Sequence, residues 1–319
     1  TDASRAVGVA SRLLSDETAE DYRMEIRSDY EKMAKNHARG RSEDKRCQIE
    51  QARENAFKND DVTPVKPSFL GTKVFEDYNL AELRDYIDWT PFFQSWDLHG
   101  RYPAILSDNV VGEAAKNLFK DANDMLDKMV EEKWVTAKAV IGFWPVARDG
   151  DDIIVYEDDT RNAELARLHT LRQQMLRTNN RPNFALADYI QPIGGKPDYI
   201  GGFAVTSGHG EDEVAKKFEA DGDDYSSIMS KALADRLAEA FAERMHQLVR
   251  TEFWGYEPDE ALDNDALINE EFTGIRPAPG YPAQPDHTEK GTLFKLLDAE
   301  SAIGLSLTES FAMWPGASV

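Results

Sequence analysis

The sequence is poor in cysteine, in basic residues and in long apolar runs. One cysteine, Cys47, can form neither an internal disulfide nor a multi-thiolate zinc site, which is typical of a protein of the reducing cytoplasm. The 37 Lys and Arg face 59 Asp and Glu, and the formal net charge of −22 disfavours nucleic acid and anionic lipid as partners. The longest apolar stretches, around 140–146 and 199–205, are far shorter than the roughly 20 residues of a membrane span. We therefore expect a cytoplasmic protein with no nucleic-acid partner, no membrane partner and no metal site.

The apolar residues that are present predict a folded chain with both helices and strands. They make up 41% of the 319 residues, and their spacing changes from helical to strand-like along the chain. A hairpin turn at Asp149-Gly150 predicts at least one antiparallel strand pair, so the fold class is α+β and not a doubly wound parallel sheet. The predicted helices span 112–133, 161–177 and 228–249, and the predicted strands span 139–146, 152–156, 184–190 and 199–206.

The first 67 residues differ in composition from the rest. Apolar residues at helical spacing between 6 and 14 indicate the end of a helix, and the charged stretch 16–61 indicates a solvated helix followed by a linker. Pro64 and Pro67 close that linker, and apolar density rises beyond them.

Several polar clusters have an ordinary structural explanation. The acidic groups at 149–152 and 221–224 lack the ligand spacing of a calcium loop and are best explained as solvated turns. His246 and His287 have no partner at metal-binding spacing, which favours structural or surface roles. Gly208-His209-Gly210 lacks the third glycine of a dinucleotide fingerprint and precedes three acidic residues.

The most informative segment is a proline-rich loop at 274–290. It has four prolines between Arg276 and Pro285, so it can be neither a helix nor a central strand and is expected to be a stiff, extended loop with free carbonyl groups. Gly280 lets a ligand approach the backbone, and Arg276 with Tyr281 would suit a small molecule that has a carboxylate and a flat heterocycle. A proline-rich surface loop, or a polyproline ligand for another protein, is the alternative.

The loop also carries a family resemblance. Gly-Ile-Arg-Pro-Ala-Pro-Gly-Tyr-Pro-Ala (274–283) and Pro-Asp-His-Thr-Glu-Lys (285–290) closely resemble the signature of the AdoMet-binding activation domain of cobalamin-dependent methionine synthases, where AdoMet is S-adenosylmethionine. The resemblance covers nearly the whole chain, in order and at compatible spacing. Further matching segments are 85–93, 118–128, 198–206, 231–243 and 307–319.

The resemblance implies an architecture and a domain division. The fold would be a twisted antiparallel sheet flanked by helices, with an N-terminal helical linker. Residues 1–15 would be the end of a cobalamin-binding domain, 16–67 a charged interdomain linker, and 68–319 the activation domain. Family members continue past Ala317-Ser318-Val319 into further strands, so the resemblance implies a C-terminally truncated activation domain whose sheet edges would make it prone to association.

The resemblance also implies a function. Such a module presents AdoMet for the reductive methylation of cob(II)alamin to methylcobalamin, which returns an oxidised methionine synthase to methionine biosynthesis. Its partners would be the cobalamin-binding domain of the same polypeptide and an electron donor, flavodoxin or a flavoprotein reductase. Cobalamin would be bound by the neighbouring domain, and zinc would be needed only in a domain that this chain lacks. The module would be part of a methyltransferase and inactive alone in methyl transfer to homocysteine.

Six residues match AdoMet-contacting positions of the family. Asp88 matches the contact to the ligand's amino group, and Arg276 matches the contact to its carboxylate. Gly280 and Tyr281 match the loop beside adenine, while Glu239 and Glu270 resemble acidic positions near the sulfonium. No residue is expected to act as a catalytic acid or base. Gln284 replaces the usual Cys of the loop. The alternative is a non-catalytic interaction module that docks on a cobalamin or flavin protein without binding AdoMet, which would have no reason to keep Asp88 and Arg276 together.

Overall fold

The computed structural model describes residues 9–10, 12–15, 18–40, 46–59, 61–177 and 181–319. The chain forms two compact units, Thr1–Asn55 with Gln174–Asn183, and Ala56–Gln173 with Phe184–Val319. Most of the stretch predicted to end a cobalamin-binding domain, 1–15, lies outside the described residues, so this part of the domain division stays a prediction.

The first unit contains the charged helix α1 (Ala19–Gly40) and the short helix α2 (Ile49–Glu54). The described side chains of α1 are mostly exposed, as the predicted solvated helix requires. The segment 47–55 contacts Gln174 and Asn183: the Cys47 amide donates to the Gln174 carbonyl at 3.2 Å, and Asn55 Nδ2 donates to Asn183 Oδ1 at 2.8 Å. Cys47 is a buried free thiol in this unit.

The second unit is built on a five-stranded antiparallel sheet. Its strands are β1 (Gly71–Tyr78), β2 (Thr136–Asp149), β3 (Asp152–Tyr156), β4 (Glu164–His169) and β5 (Asp198–His209). The central strand β2 pairs with β1 and then β3 along one edge and with β5 along the other. Residues 317–319 add backbone hydrogen bonds to β5, such as the Val205 amide to the Val319 carbonyl at 2.8 Å. The α+β fold with a helix-flanked antiparallel sheet, predicted from the sequence, is confirmed.

Strand β2 is buried on both faces because its side chains alternate between two cores. Ala137, Ala139, Ile141 and Phe143 point into the larger core, whereas Val140, Trp144 and Val146 point into the smaller one.

Helices cover both faces of this sheet. The larger core is closed by α3 (Leu80–Leu83), α4 (Trp89–Ser95), α5 (Gly112–Glu131) and α7 (Asp224–Leu248), and α6 (Glu211–Ala220) precedes α7. The smaller core is closed by α9 (Glu289–Leu297) and α10 (Ala299–Ile303), after the short α8 (Asn264–Ile268). A two-stranded ribbon, β6 (Ser306–Leu307) with β7 (Met313–Trp314), follows.

The predicted hairpin and the predicted helices at 112–133 and 228–249 are confirmed by β2–β3, α5 and α7, and the strand predicted at 199–206 by β5. Two predictions were wrong. The stretch 161–177 is not a helix but contains strand β4, and 184–190 is not a strand but holds a 3-10 turn at Leu186–Tyr189.

Candidate functional site

The candidate site is organised by one polar face of helix α7. The helix begins where the Asp223 carboxylate accepts a hydrogen bond from the Ser226 amide at 2.9 Å, and it is held by an apolar stripe in the larger core. Glu239, Glu243 and His246 follow at intervals of four and three residues. Arg250 comes four residues later, in the π-helical turn Val249–Phe253 that continues α7, so the four side chains share one face. Burial increases along this face, from the exposed Glu239 to the fully buried Arg250.

The segment 272–276 runs along this face in the opposite direction. The Phe272 ring packs edge-on against the His246 ring, with centroids 4.8 Å apart, and lies 4.3 Å from the Arg250 guanidinium. Arg276, four residues later, contacts α7 one turn earlier, at Ala242 and Glu243. Glu239 lies one turn before Glu243 in α7, which is the direction in which the segment 272–276 runs.

Arg276, the arginine of the proline-rich loop at 274–290, is fixed against α7 by two hydrogen bonds. Its Nη1 donates to the Ala242 carbonyl at 3.0 Å, and its Nη2 donates to Oε1 of Glu243. Its side chain is 27% exposed. Because a guanidinium has five N–H donors and no other described residue accepts from it, three donors remain for an anion.

Asp88 lies at the N-terminus of helix α4. One of its carboxylate oxygens accepts a hydrogen bond from the Thr90 amide at 2.9 Å and caps the helix. A carboxylate has two oxygens, so this cap leaves acceptor capacity for a donor such as an ammonium group. The carbonyl of the preceding Ile87 accepts from Asn264 Nδ2 at 3.4 Å, which ties this turn to α8.

Glu270 follows α8 and is exposed. Its backbone has a φ of +57°, an uncommon value for a residue other than glycine. The neighbouring Asn269 accepts a hydrogen bond from Arg101 Nη2 at 2.9 Å, and Arg101 belongs to the loop that follows α4. The hydrogen bonds of Asn264 and Asn269 thus bring the turns that carry Asp88 and Glu270 to the same side of the second unit.

Gly280 and Tyr281 form a tight turn. Gly280 has a φ of +110°, its amide donates to the Gln284 carbonyl at 2.8 Å, and the Gln284 amide donates to the Tyr281 carbonyl at 2.9 Å. Tyr281 is 62% exposed, whereas Gln284, which replaces the family's usual Cys, is buried.

The prediction of a stiff, extended loop with free carbonyl groups was therefore wrong at this turn. Besides the bonds within the turn, the carbonyls of Pro282 and Ala283 accept hydrogen bonds from Gln173 Nε2 and the Leu186 amide. The loop is nevertheless neither helix nor central strand up to Thr288, as predicted.

Sequence reasoning missed part of the site. Glu243 and Asn264 were not singled out, and His246 was assigned a structural or surface role. Each has a buried polar atom with no hydrogen-bond partner in the described part of the chain: Glu243 Oε2, Asn264 Oδ1 and His246 Nδ1. Burial, together with the positive charges of Arg276 and Arg250, lowers the pKa of His246 to about 3. The only signal in the sequence was the shared helical face of Glu239, Glu243, His246 and Arg250.

Two surface clefts lie away from the predicted residues. One, of about 320 Å³, belongs to the first unit and is lined by Cys47, Asn55 and Asn183 among others. The other, of about 250 Å³, lies between the end of β1 and the end of α5, beside Tyr78 and Lys133. The six predicted residues line neither cleft.

Among the described residues, no group of three or more His, Cys, Asp or Glu side chains is placed to hold a metal ion. None of the described helices is long and apolar enough to cross a membrane.

The comparisons with known proteins agree with the fold and with the signature loop. Residues 79–319 match the family model of the vitamin B12 dependent methionine synthase activation domain, and the chain belongs to this family. The chain is also similar to a solved structure described as the crystal structure of the MetH reactivation domain bound to AdoHcy, where AdoHcy is S-adenosylhomocysteine. The sequence identity is 54%, 86% of this chain and 85% of that chain are covered, and the TM-score is 0.83.

Proposed function

We propose that this chain is a reactivation module that binds AdoMet, and its product AdoHcy, beside the polar face of α7. The observation that carries the proposal is the Arg276 guanidinium, half-buried against α7 with three unused donors, in a chain 54% identical to a reactivation domain whose structure holds AdoHcy. A guanidinium binds a carboxylate in bidentate geometry, which a lysine cannot reproduce.

The other predicted residues carry the chemical groups that the rest of an AdoMet molecule would need. The second oxygen of Asp88 can accept from the amino group, and the exposed Tyr281 ring can cover the adenine at the Gly280 turn. Glu239 and Glu270 add negative charge that favours a sulfonium. When AdoMet is bound, it supplies the methyl group, while these residues hold and orient it.

The proposal extends to the longer enzyme. The module would be one domain, residues 68–319, of a cytoplasmic methyltransferase, preceded by a linker at 16–67 and by the end of a cobalamin-binding domain at 1–15. Methylation of the cobalamin in that neighbouring domain would need an electron from flavodoxin or a flavoprotein reductase, and zinc would belong to another domain. Membership of the family supports this arrangement, and the single cysteine is consistent with a reducing compartment.

The test is isothermal titration of the 319-residue chain with AdoMet and with AdoHcy, for which we expect 1:1 binding. Arg276→Ala should cost roughly 2 to 4 kcal/mol of binding free energy, because a charge-assisted bidentate pair is lost. Arg276→Lys should restore part of the loss. Asp88→Asn should weaken binding while keeping the helix cap, since Asn also caps helices well.

Two results would contradict the proposal. The first is the absence of heat and of a thermal shift at millimolar ligand. The second is wild-type affinity in all three variants with normal folding, which would favour an interaction module that does not bind AdoMet. A separate assay with methyltetrahydrofolate and homocysteine should show no turnover by this chain alone. Detectable turnover would contradict the proposal that the module has no site of its own for methyl transfer to homocysteine.

A further inference from the structure

Glu243 supplies the carboxylate that pairs with Arg276. It lies within the 25-residue helix α7, five residues before the helix ends at Leu248, so its backbone is fixed by the helix on both sides. Its side chain is 20% exposed, and only one of its oxygens, Oε1, accepts from Arg276. The other oxygen, Oε2, is buried with no partner in the described part of the chain.

The two contacts of Arg276 come from successive residues of α7 and use different nitrogens. Nη1 donates to the Ala242 carbonyl and Nη2 donates to Glu243, so the orientation of the guanidinium plane is fixed against the helix. Nε–H and one N–H on each terminal nitrogen stay available. A carboxylate ligand can therefore bind without displacing Glu243.

We propose that Glu243 is a positioning residue for the carboxylate of the ligand. This inference rests on the proposed function. Glu243 holds the guanidinium in one orientation before the ligand arrives and stays paired with it afterwards. An unpaired arginine on a loop has many rotamers and loses that freedom on binding, whereas a pre-oriented one does not.

In the opposite arrangement, the Glu243 carboxylate occupies the position of the ligand carboxylate on Arg276. Its side chain would then have to move away before the ligand binds. The geometry disfavours this arrangement. Glu243 accepts from a single guanidinium nitrogen, Nη2, whereas a carboxylate bound in bidentate geometry accepts from two adjacent nitrogens. The two arrangements predict opposite changes in affinity when Glu243 is removed.

The experiment is titration of the 319-residue chain and its variants with AdoHcy. Glu243→Ala should weaken binding about tenfold, and Glu243→Gln by about threefold or less, because the amide oxygen still accepts from Arg276 Nη2. In an Arg276→Ala background, Glu243→Ala should change the affinity by less than about twofold, since coupled residues are not additive. Glu252→Ala, at an exposed glutamate without a hydrogen-bond or ion-pair partner in the described part of the chain, is the matched control and should bind like the wild type.

A second ligand separates positioning from a purely structural effect. The decarboxylated analogue of AdoHcy keeps the amino group and the adenosine but lacks the carboxylate that Arg276 would bind. Glu243→Ala should leave its affinity unchanged. An equal loss of affinity for both ligands would mean that Glu243 supports the fold and would overturn the inference.

The outcomes distinguish this inference from the proposed function. If the wild type does not bind AdoHcy, the proposed function fails. If the wild type binds and Arg276→Ala weakens binding, but Glu243→Ala leaves the affinity unchanged or raises it, the inference fails alone. Should Glu243→Ala not fold, Glu243→Met, which also removes the carboxylate but keeps the side-chain length, is titrated in its place, and the same outcomes support or overturn the inference.

Discussion

At the scale of single residues, His246 has the most constrained environment on the polar face of α7. Its ring is buried edge-on against Phe272, and the guanidinium groups of Arg250 and Arg276 lie close enough to disfavour a positive charge on it. Arg250 is itself held by Glu260 through two hydrogen bonds of 2.5 and 2.7 Å. With a pKa of about 3, His246 is neutral near pH 7, and a neutral ring can lie between two cations without repulsion.

This environment predicts a pH dependence of stability. An unfolded histidine titrates near pH 6.5, so between about pH 6.5 and 3 the unfolded chain binds a proton that the folded chain does not, and stability falls as the pH drops. Integrated from about pH 7 to about pH 5, the His246 contribution is roughly 2 kcal/mol. Between about pH 7 and about pH 5, the free energy of unfolding of the His246→Gln variant should therefore fall less than that of the wild type. Urea unfolding at both pH values measures the difference.

The control for this prediction is His99→Gln, at an exposed histidine of the loop after α4. It should keep the wild-type difference between the two pH values. Identical differences in the wild type and in His246→Gln would show that His246 is not held neutral in the fold.

The sequence by itself indicates part of the candidate site. Arg276, Gly280 and Tyr281 lie in a proline-rich loop whose residue order is specific enough to identify the family. Glu243 could not be found in this way, because a polar residue on an amphipathic helix is usually solvated. What buries it is the contact with Arg276, 33 residues away along the chain, and a local pattern does not reveal such a contact.

At the scale of secondary structure elements, the wrong predictions have a common cause. The stretch 161–177 is rich in Leu, Arg, Ala and Gln, which favour helices, yet Glu164–His169 pairs with β3 as an edge strand. The turn at 186–189 forms because Asp188 is buried and binds Arg172 through two hydrogen bonds of 2.6 and 2.8 Å. Tertiary pairing overrides local propensity in both elements, whereas the long periodic helices α5 and α7 and the β2–β3 hairpin agree with it.

The turn at Gly280 gives a prediction at this scale. A φ of +110° strains any residue with a Cβ, and a Cβ here would approach Cε1 of His287 to 2.3 Å. Gly280→Ala should lower the free energy of unfolding by about 1 to 2 kcal/mol and weaken AdoHcy binding, because the turn that carries Tyr281 must shift. Chemical unfolding and calorimetric titration measure the two effects.

A matched glycine is available as a control. Gly316 has no neighbour within 4 Å of an added Cβ, so Gly316→Ala should leave both quantities nearly unchanged. The double variant Gly280→Ala with His287→Ala removes the contact with the ring but not the backbone strain. If the double variant regains full stability, the ring contact and not the positive φ is the reason that glycine is needed there.

At the scale of the whole molecule, the dominant electrostatic feature is the net charge of −22. Exposed ion pairs such as Lys120–Asp124 and Lys32–Asp29 offset little of the resulting self-repulsion, since water and salt screen them. The buried pairs Arg172–Asp188 and Arg250–Glu260 are shielded from solvent and respond little to salt. The response of stability to salt near neutral pH is therefore set mainly by repulsion among surface carboxylates.

Moderate salt should accordingly stabilise the fold at pH 7.5. Raising NaCl from about 10 to about 100 mM shortens the Debye length from about 30 to about 10 Å and should raise the unfolding midpoint by a few degrees. The matched control is the same pair of salt concentrations near pH 4.7, the calculated isoelectric point, where the net repulsion vanishes. Differential scanning calorimetry at both pH values measures the shifts. An equal shift at both pH values would attribute the effect to the salt's action on hydration, and a lower midpoint at pH 7.5 would mean that attractive ion pairs outweigh the repulsion.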